Sequence, residues 1–257
     1  MLLAIDVGNS TTEFGIFDAD KILLRWRIVT QNRTGDELYL IVTSHCLSCR
    51  VNLPGNGDCV LCSVVPPLTQ GFVEMASRLF GKAPLVVDSS VDTGLRVLYR
   101  DPLSVGSDRL ATAVGAVHRF GKPVIIVDMG TATTFDVISD SGDYVGGAIA
   151  PGVGTAAEEL FRRAARLPRV ELRKPQSVIG QSTEESLQSG IVFGAAALVD
   201  GILARIFEEL GARPTVVATG GYSPLITPHC KNVAHVEDAL VLDGLRVIFE
   251  RNKGGRK

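Results

Sequence analysis

The first apolar run of the chain, Leu2, Leu3 and Ile5, stops on a carboxylate, Asp6. Gly8 follows, then Asn9, Ser10, Thr11 and Thr12, four residues able to hydrogen-bond through a side-chain oxygen, before apolar character returns at Phe14, Ile16 and Phe17. This predicts strands over 2–7 and 12–18 around a polar turn. Further strands are expected at 22–29, 59–65, 84–88 and 94–98. Helices are expected near 36–50, opened by a capping box of Thr34 and Glu37, and near 67–80, stopped by Gly81. Residues 106–121 read as a helix with Leu110, Ala113, Val114 and Val117 inward and Gly121 as its stop.

Taken once, the first turn is an ordinary polar hairpin. It occurs twice. Ile125–Asp140 overlays on residues 3–18 at a constant offset, with Asp128 on Asp6, Gly130 on Gly8, Thr133 on Thr11, Thr134 on Thr12 and Ile138 on Ile16. The second copy predicts strands at 123–128, 132–139 and 143–149, then helices. Ser182 and Glu185 form a second capping box before a long apolar helix to about Leu210. A buried strand follows at 215–221, ending in Gly220 and Gly221, and a last helix runs from about Val236 to Arg251. Strands with short hairpins followed by helices, twice over, give an α/β fold of two related lobes, each a mixed sheet flanked by helices. The expected lobes are 1–118 and 119–257. Two glycine-hydroxyl turns suit phosphate, which backbone N–H groups and hydroxyls cradle. The adjacent acids suit a hard cation such as Mg²⁺. Together they suggest a nucleotide cleft.

Composition narrows the class. With 257 residues, 46% hydrophobic, the chain can bury two modest cores. A net charge of −2 recommends no nucleic-acid surface, and the basic tail from Arg251 to Lys257 is short. Apolar runs are interrupted by acids such as Asp128, and the N-terminus has no signal-like basic start, so no membrane segment is expected and the cytoplasm is the expected location. The chain lacks the lysine-bearing P-loop motif.

Cys46-x₂-Cys49 and Cys59-x₂-Cys62, with His45 beside the first pair, have the spacing of a zinc site. Periodicity argues for core cysteines instead. Leu38, Ile41, Val42, Cys46 and Cys49 fall on one helical face, and in a strand Cys59 and Cys62 point to opposite faces. Cys230 has no partner by spacing.

The motifs "DVGNS", "GSDRLA", "DMGTATTFDVI", "GGAIAPG", "STEESLQSG" and "ATGG" stand in the order and spacing of the type III pantothenate kinases, which this chain resembles from Leu3 to about Arg251. That family is a branch of the acetate kinase/sugar kinase/Hsp70/actin superfamily. The resemblance implies ribonuclease H-like lobes of the actin-like ATPase kind and ATP-dependent phosphorylation of pantothenate, the first step of coenzyme A synthesis. It implies a first phosphate loop over Asp6, Val7, Gly8, Asn9, Ser10, Thr11, Thr12 and Glu13, with Asp6 holding Mg²⁺ through water. It further implies Asp128 on a monovalent cation, K⁺ or NH₄⁺, and Thr131, Gly220 and Gly221 on ATP. Asp108 becomes the catalytic base, Arg109 the partner of the pantothenate carboxylate, and Tyr99, Gly106, Ser107 and Thr183 further substrate contacts. A homodimer is implied too. Ser10 stands where threonine is usual, Ser107 where alanine is usual, and Tyr99-Arg100-Asp101-Pro102 replaces an acidic-Asn-Pro run; the last two concern the shape of the substrate pocket.

The residue types fit these roles. Phosphoryl transfer asks a protein mainly for positioning and charge neutralisation. Asp108 falls in the first turn of its helix, where the dipole favours the ionised form, so with an ordinary pKa of ~3.9 it is a weak base that chiefly orients the alcohol. Without the resemblance, Asp108 reads as a helix-start acid and Arg109 as a solvated charge. Two rivals stand beside this reading. One is a kinase of the same superfamily with another acceptor, which the Asp108-Arg109 pair disfavours for a neutral sugar. The other is a non-catalytic regulator, which the intact phosphate turns disfavour.

Overall fold

The computed structural model describes residues 1–88, 90–164 and 166–255; the last two residues of the basic tail, Arg256 and Lys257, lie outside the described residues. The chain runs β1 (Leu2–Val7), β2 (Thr11–Asp18), β3 (Lys21–Val29), α1 (Gly35–Ser48), β4 (Asp58–Ser63), α2 (Pro66–Phe80), β5 (Leu85–Val86) and α3 (Ser107–Phe120). It continues through β6 (Val124–Met129), β7 (Ala132–Ile138), β8 (Tyr144–Pro151), α4 (Val153–Arg163), α5 (Thr183–Leu210), β9 (Thr215–Thr219), α6 (Ser223–Ile226), β10 (His235–Val236) and α7 (Leu240–Asn252). Two compact units emerge, Met1–Arg119 with Leu240–Lys257, and Phe120–Ala239. The halves expected at 1–118 and 119–257 therefore need one change: α7 returns to the first unit.

Each unit holds one five-stranded sheet, ordered β3-β2-β1-β4-β5 in the first and β10-β9-β6-β7-β8 in the second. Read from the opposite edge, the second order repeats the first. In both, the first strand of the unit is central, antiparallel to the next strand and parallel to the fourth. β1 and β6 are buried along almost their whole length. That explains their near-continuous apolar sequence, because a central strand covered on both faces has no solvent side. Alternate residues of the first sheet feed two cores. Leu3, Ile5, Phe14 and Ile16 pack with Leu38 and Val42 of α1 and Phe72 and Met75 of α2. Leu2, Ala4, Phe17 and Val60 pack on the other face with Ala111 and Val114 of α3 and Leu242, Leu245 and Ile248 of α7. The apolar side of α7 thus belongs to the first sheet. In the second unit Ile125, Val127, Phe135 and Val137 pack against Val192, Val199 and Leu203 of α5. A fully buried side chain of this size stabilises the fold by roughly 1.5–3 kcal/mol, so these central strands are the most firmly held elements.

The repeat is not uniform along its length. Asp6 pairs with Glu13 and Val7 with Thr12, whereas Asp128 pairs with Thr134 and Met129 with Thr133. The first turn is one residue longer, closing from Gly8 N to Thr11 O at 3.1 Å, where the second closes from Gly130 N to Ala132 O at 3.0 Å. Beyond the turn the structural equivalents are Thr12 with Thr133 and Phe14 with Phe135, not Thr12 with Thr134 as a constant offset implies. The buried phenylalanines set this register, since a one-residue slip would turn each of them to the opposite face.

Four expected elements differ. The strand expected at 94–98 is absent apart from an isolated bridge at Val97, and β5 is shorter than 84–88. Backbone donors there are met by carboxylates instead of a ladder: Ser90 N donates to Asp88 Oδ1 and Gly94 N to Asp92 Oδ1, both at 2.8 Å. Asp92 also accepts from Arg251 of α7 at 2.8 Å. The last helix starts at Leu240, because residues 235–236 pair with β9 as a short edge strand. β9 itself stops at Thr219, two residues early.

The cysteines divide as strand alternation dictates. Cys46 and Cys59 enter the core under α1 and α2, and Cys62 enters the opposite core. Cys49, expected on the buried face, is exposed at the end of α1. Burial, then the neighbouring Cys49, raises the Cys46 thiol to about 11. Among the described residues no three His, Cys, Asp or Glu side chains are grouped to hold a metal. α5 is long and apolar enough, by length and composition, to cross a bilayer, contrary to the expectation that no segment would be. One of its faces is nevertheless buried on the second sheet, and its Asp200 accepts from the backbone of Lys231 and Asn232.

Candidate active site

In the first unit the candidate residues gather at the C-terminal end of β1. Asp6 is half-buried at the strand end, and Asn9, Ser10 and Thr11 are exposed on the turn. The other residues assigned to this loop have inward commitments. Val7 is wholly buried in the core, and Glu13 is buried in an ion pair with Arg25 and, at 3.0 Å, with Arg27. Thr12 is buried against Thr30, their hydroxyl oxygens 2.9 Å apart. Thr30 donates its own proton to Gly8 O at 2.8 Å, so Thr12 is the donor between the two. Thr30 N also donates to Ser10 O at 3.0 Å. Thr30 clamps the turn from the end of β3, a role that sequence reading missed because it depends on the pairing of β2 with β3.

The substrate motif lies in the same unit. Gly106 precedes α3, and Ser107, Asp108 and Arg109 form its first turn, all partly exposed. Asp108 Oδ1 accepts from the backbone N–H of Arg109 at 2.7 Å, and Thr112 Oγ1 donates to Asp108 O at 2.8 Å. The helix start therefore fixes both the carboxylate and its backbone. A Cβ on Gly106 would overlap Asp108 Oδ1 and touch Val64 Cγ1 at 3.6 Å, so the carboxylate occupies space that any other residue would fill. Asp6 and Asp108 both act on Cys62: with burial the largest cause, the two carboxylates hold its thiol well above the usual range. Tyr99 is partly exposed just before Asp101, whose carboxylate accepts from Leu103 N at 3.2 Å and caps a short 3₁₀ turn.

In the second unit the corresponding strand end carries Asp128, half-buried, followed by Gly130 and the exposed Thr131. The parallel neighbour β9 pairs Asp128 with Thr219, and the chain leaves it through Gly220 with φ of 90°. A Cβ on Gly220 would overlap Asp128 Oδ1 and lie 2.6 Å from the backbone carbon of Met129. A positive φ and this close approach both require glycine. Tyr222 N donates to Met129 O at 3.1 Å, and Thr155 Oγ1 donates to Thr131 O at 2.7 Å, so the exit of β9 and the start of α4 hold the turn from two sides. Gly221 is exposed. Thr183, also exposed, is the first residue of α5 after its cap Ser182, whose hydroxyl accepts from Glu185 N at 3.2 Å. The return arm of that capping box goes one residue early, from Gln181 N to Glu185 Oε2 at 2.7 Å.

Single strand-end carboxylates beside open turns suit hard cations that keep water and phosphate oxygens in their shells. Among the described residues, neither turn gathers three or more His, Cys, Asp or Glu side chains of the kind that enclose a structural metal.

The type III pantothenate kinase family model matches residues 2–205. The type III pantothenate kinase of Anaeromyxobacter sp. (strain K) is 44% identical over 254 residues, 98% of this chain and 100% of that protein. That of Moorella thermoacetica is 44% identical over 253 residues, with the same coverage. This chain belongs to the type III pantothenate kinase family. Among solved structures, a Baf family protein from Campylobacter jejuni, described as a transcriptional activator, aligns with a TM-score of 0.62 at 19% identity, covering 98% of this chain and 99% of that one. The activator of 2-hydroxyisocaproyl-CoA dehydratase from Clostridium difficile, with bound ADPNP, aligns at 0.56 and 12% identity over 99% and 96%. At these identities the structural likeness speaks for the fold, which is that of the actin-like ATPases and sugar kinases.

The contact of Gly106 with Asp108 yields a direct expectation. Gly106→Ala should displace the Asp108 carboxylate and lower kcat by about 10²-fold, the usual scale for a misplaced reacting group. Its melting temperature should stay near that of the parent protein. Steady-state kinetics with a thermal melt check both; unchanged kcat would remove this contact from the site.

Proposed function

We propose that this protein transfers the γ-phosphoryl group of ATP to the primary hydroxyl of pantothenate, giving 4'-phosphopantothenate and ADP as the first step of coenzyme A synthesis. The observation that carries this reading is the family match across the chain together with Asp108 and Arg109 side by side in the first turn of α3. Asp108 orients the hydroxyl and takes its proton as the new P–O bond forms and ADP leaves. Arg109 holds the pantothenate carboxylate, a charge-assisted pairing that guanidinium geometry suits. Tyr99, Gly106, Ser107 and Thr183 complete the substrate contacts.

The exposed Asn9, Ser10 and Thr11, with the backbone from Asp6 to Glu13, bind the ATP phosphates, as do Thr131, Gly220 and Gly221. The buried Val7, Thr12 and Glu13 serve by shaping the turn. Asp6 fits a Mg²⁺ ion held through water, and Asp128 a monovalent cation, K⁺ or NH₄⁺. Bound cations would neutralise charge developing on the phosphate oxygens. The expected location is the cytoplasm.

The protein works as a homodimer. Support comes from α5, whose solvent face carries Gly190, Gly194, Ala197, Leu198, Gly201 and Ala204, all exposed. Small apolar side chains in a stripe let a second copy approach closely, as a two-fold contact of like patches requires.

Three measurements follow. ADP release should depend on pantothenate, and a sugar should not replace it; equal release with a neutral sugar would overturn the acceptor. Asp108→Asn should lose ~10²–10⁴ in kcat with ATP affinity little changed, while Arg109→Ala should raise the pantothenate KM roughly 10- to 100-fold. Near-normal kcat in Asp108→Asn would reduce this acid to a helix-start residue. Sedimentation equilibrium at assay concentration should give two chains per particle, and a fully active monomer would contradict the dimer.

A further inference from the structure

The phosphate-turn acid has a partner that the functional reading does not use. Cys62 lies on β4, directly opposite Asp6 in the parallel register with β1, so both side chains leave the same face of the sheet. Its Sγ is 3.2 Å from Asp6 Oδ1, and the residue is wholly buried. On this face Leu2, Ala4 and Val60 are apolar, and the remaining residue, Asp58 at the start of β4, is ion-paired with Lys82 at 2.6 Å. Packing alone would be served equally by valine or alanine, neither of which can donate. A thiol is a weak donor, but here the acceptor is a carboxylate.

We propose that Cys62 is a positioning residue for phosphoryl transfer, its S–H fixing the orientation of the Asp6 carboxylate toward the divalent cation that accompanies ATP. The proposal rests on the reading of Asp6 as the acid that holds this cation through water. A cysteine thiol is ordinarily protonated at neutral pH, and the 3.2 Å contact presents its S–H to the carboxylate. The cation is then held by one oriented carboxylate plus water and phosphate. In such a site a hydrogen bond to the ligand decides how well the ligand is presented.

The test uses the full chain with Mn²⁺ and ADP, followed by electron paramagnetic resonance of bound Mn²⁺, together with the Mg²⁺ concentration that half-saturates turnover. Cys62→Ala and Cys62→Val remove the donor in two different volumes; Cys62→Ser keeps one. Both donor-less variants should weaken the Mn²⁺·ADP complex about 10-fold or more, the usual scale for such outer-shell partners, and raise half-saturating Mg²⁺ in parallel. Cys62→Ser should remain near the parent protein. Wild-type Mn²⁺·ADP affinity in Cys62→Ala or Cys62→Val, whatever their melting temperatures, would make the thiol a space-filling core residue. Equal losses in the serine and alanine variants would also overturn the proposal, since donation would not be what matters. Asp6→Asn is measured alongside. If it binds Mn²⁺·ADP normally, the assignment of Asp6 to the cation fails; if only the Cys62 variants bind normally, the role of the thiol alone fails.

Discussion

Each sheet is built around a central strand that is buried on both faces and carries a carboxylate one residue before its end. Burial makes β1 and β6 rigid, and their length carries Asp6 and Asp128 out of the apolar core at a fixed place. A charged group is costly to desolvate, so an acid is tolerated on such a strand only where the chain turns toward solvent. Backbone from neighbouring segments must then lie close to such carboxylates. Gly220 meets that need beside Asp128, and Gly106 meets it beside Asp108. Close backbone approach thus fixes acids in both units, and the chemistry assigned to them depends on that fixity.

The duplication shows what is constrained and what is free. Strand order, strand direction and the strand-end acid repeat between units. The turn length does not, and neither does the residue that follows the buried phenylalanine. Gly15 in the first unit leaves room for Leu242 of α7, with which a Cβ there would collide. Its equivalent, Asp136, is buried and accepts from Tyr144 and from Thr134 Oγ1 at 3.3 Å. A copy that packs a helix at this point needs no side chain there; a copy that keeps an acid needs donors for it. The same backbone unit therefore supports two different local environments.

Much of this was legible in the residues. The acid-glycine-hydroxyl turn, its repetition, the capping boxes at Thr34 and Ser182 and the opposed Cys59 and Cys62 all follow from local pattern. What escaped depended on pairing between distant segments. The register of β2 on β1 is set by the burial of Phe14, which a constant offset cannot detect. Thr30 reaches Gly8 only because β3 lies beside β2, and Cys62 meets Asp6 only because β4 runs parallel to β1 in one particular register. The false strand at 94–98 had suitable alternation but pairs at no more than the isolated bridge of Val97, and carboxylates at 88 and 92 accept from the N–H groups of Ser90 and Gly94. The return of α7 to the first sheet is likewise invisible locally, since an amphipathic helix does not name the sheet it covers.

In the proposed function, two structurally equivalent acids near the strand ends serve different cations in one reaction. The direct test titrates the turnover of Asp6→Asn and Asp128→Asn against Mg²⁺ at fixed K⁺, and against K⁺ at fixed Mg²⁺ and constant ionic strength. A crossed pattern is expected: Asp6→Asn raises the Mg²⁺ requirement and keeps the K⁺ response, while Asp128→Asn loses the K⁺ response and keeps the Mg²⁺ requirement. If both substitutions shift the same cation, or if Na⁺ replaces K⁺ in the parent protein without loss of rate, the division of labour between the two acids is contradicted.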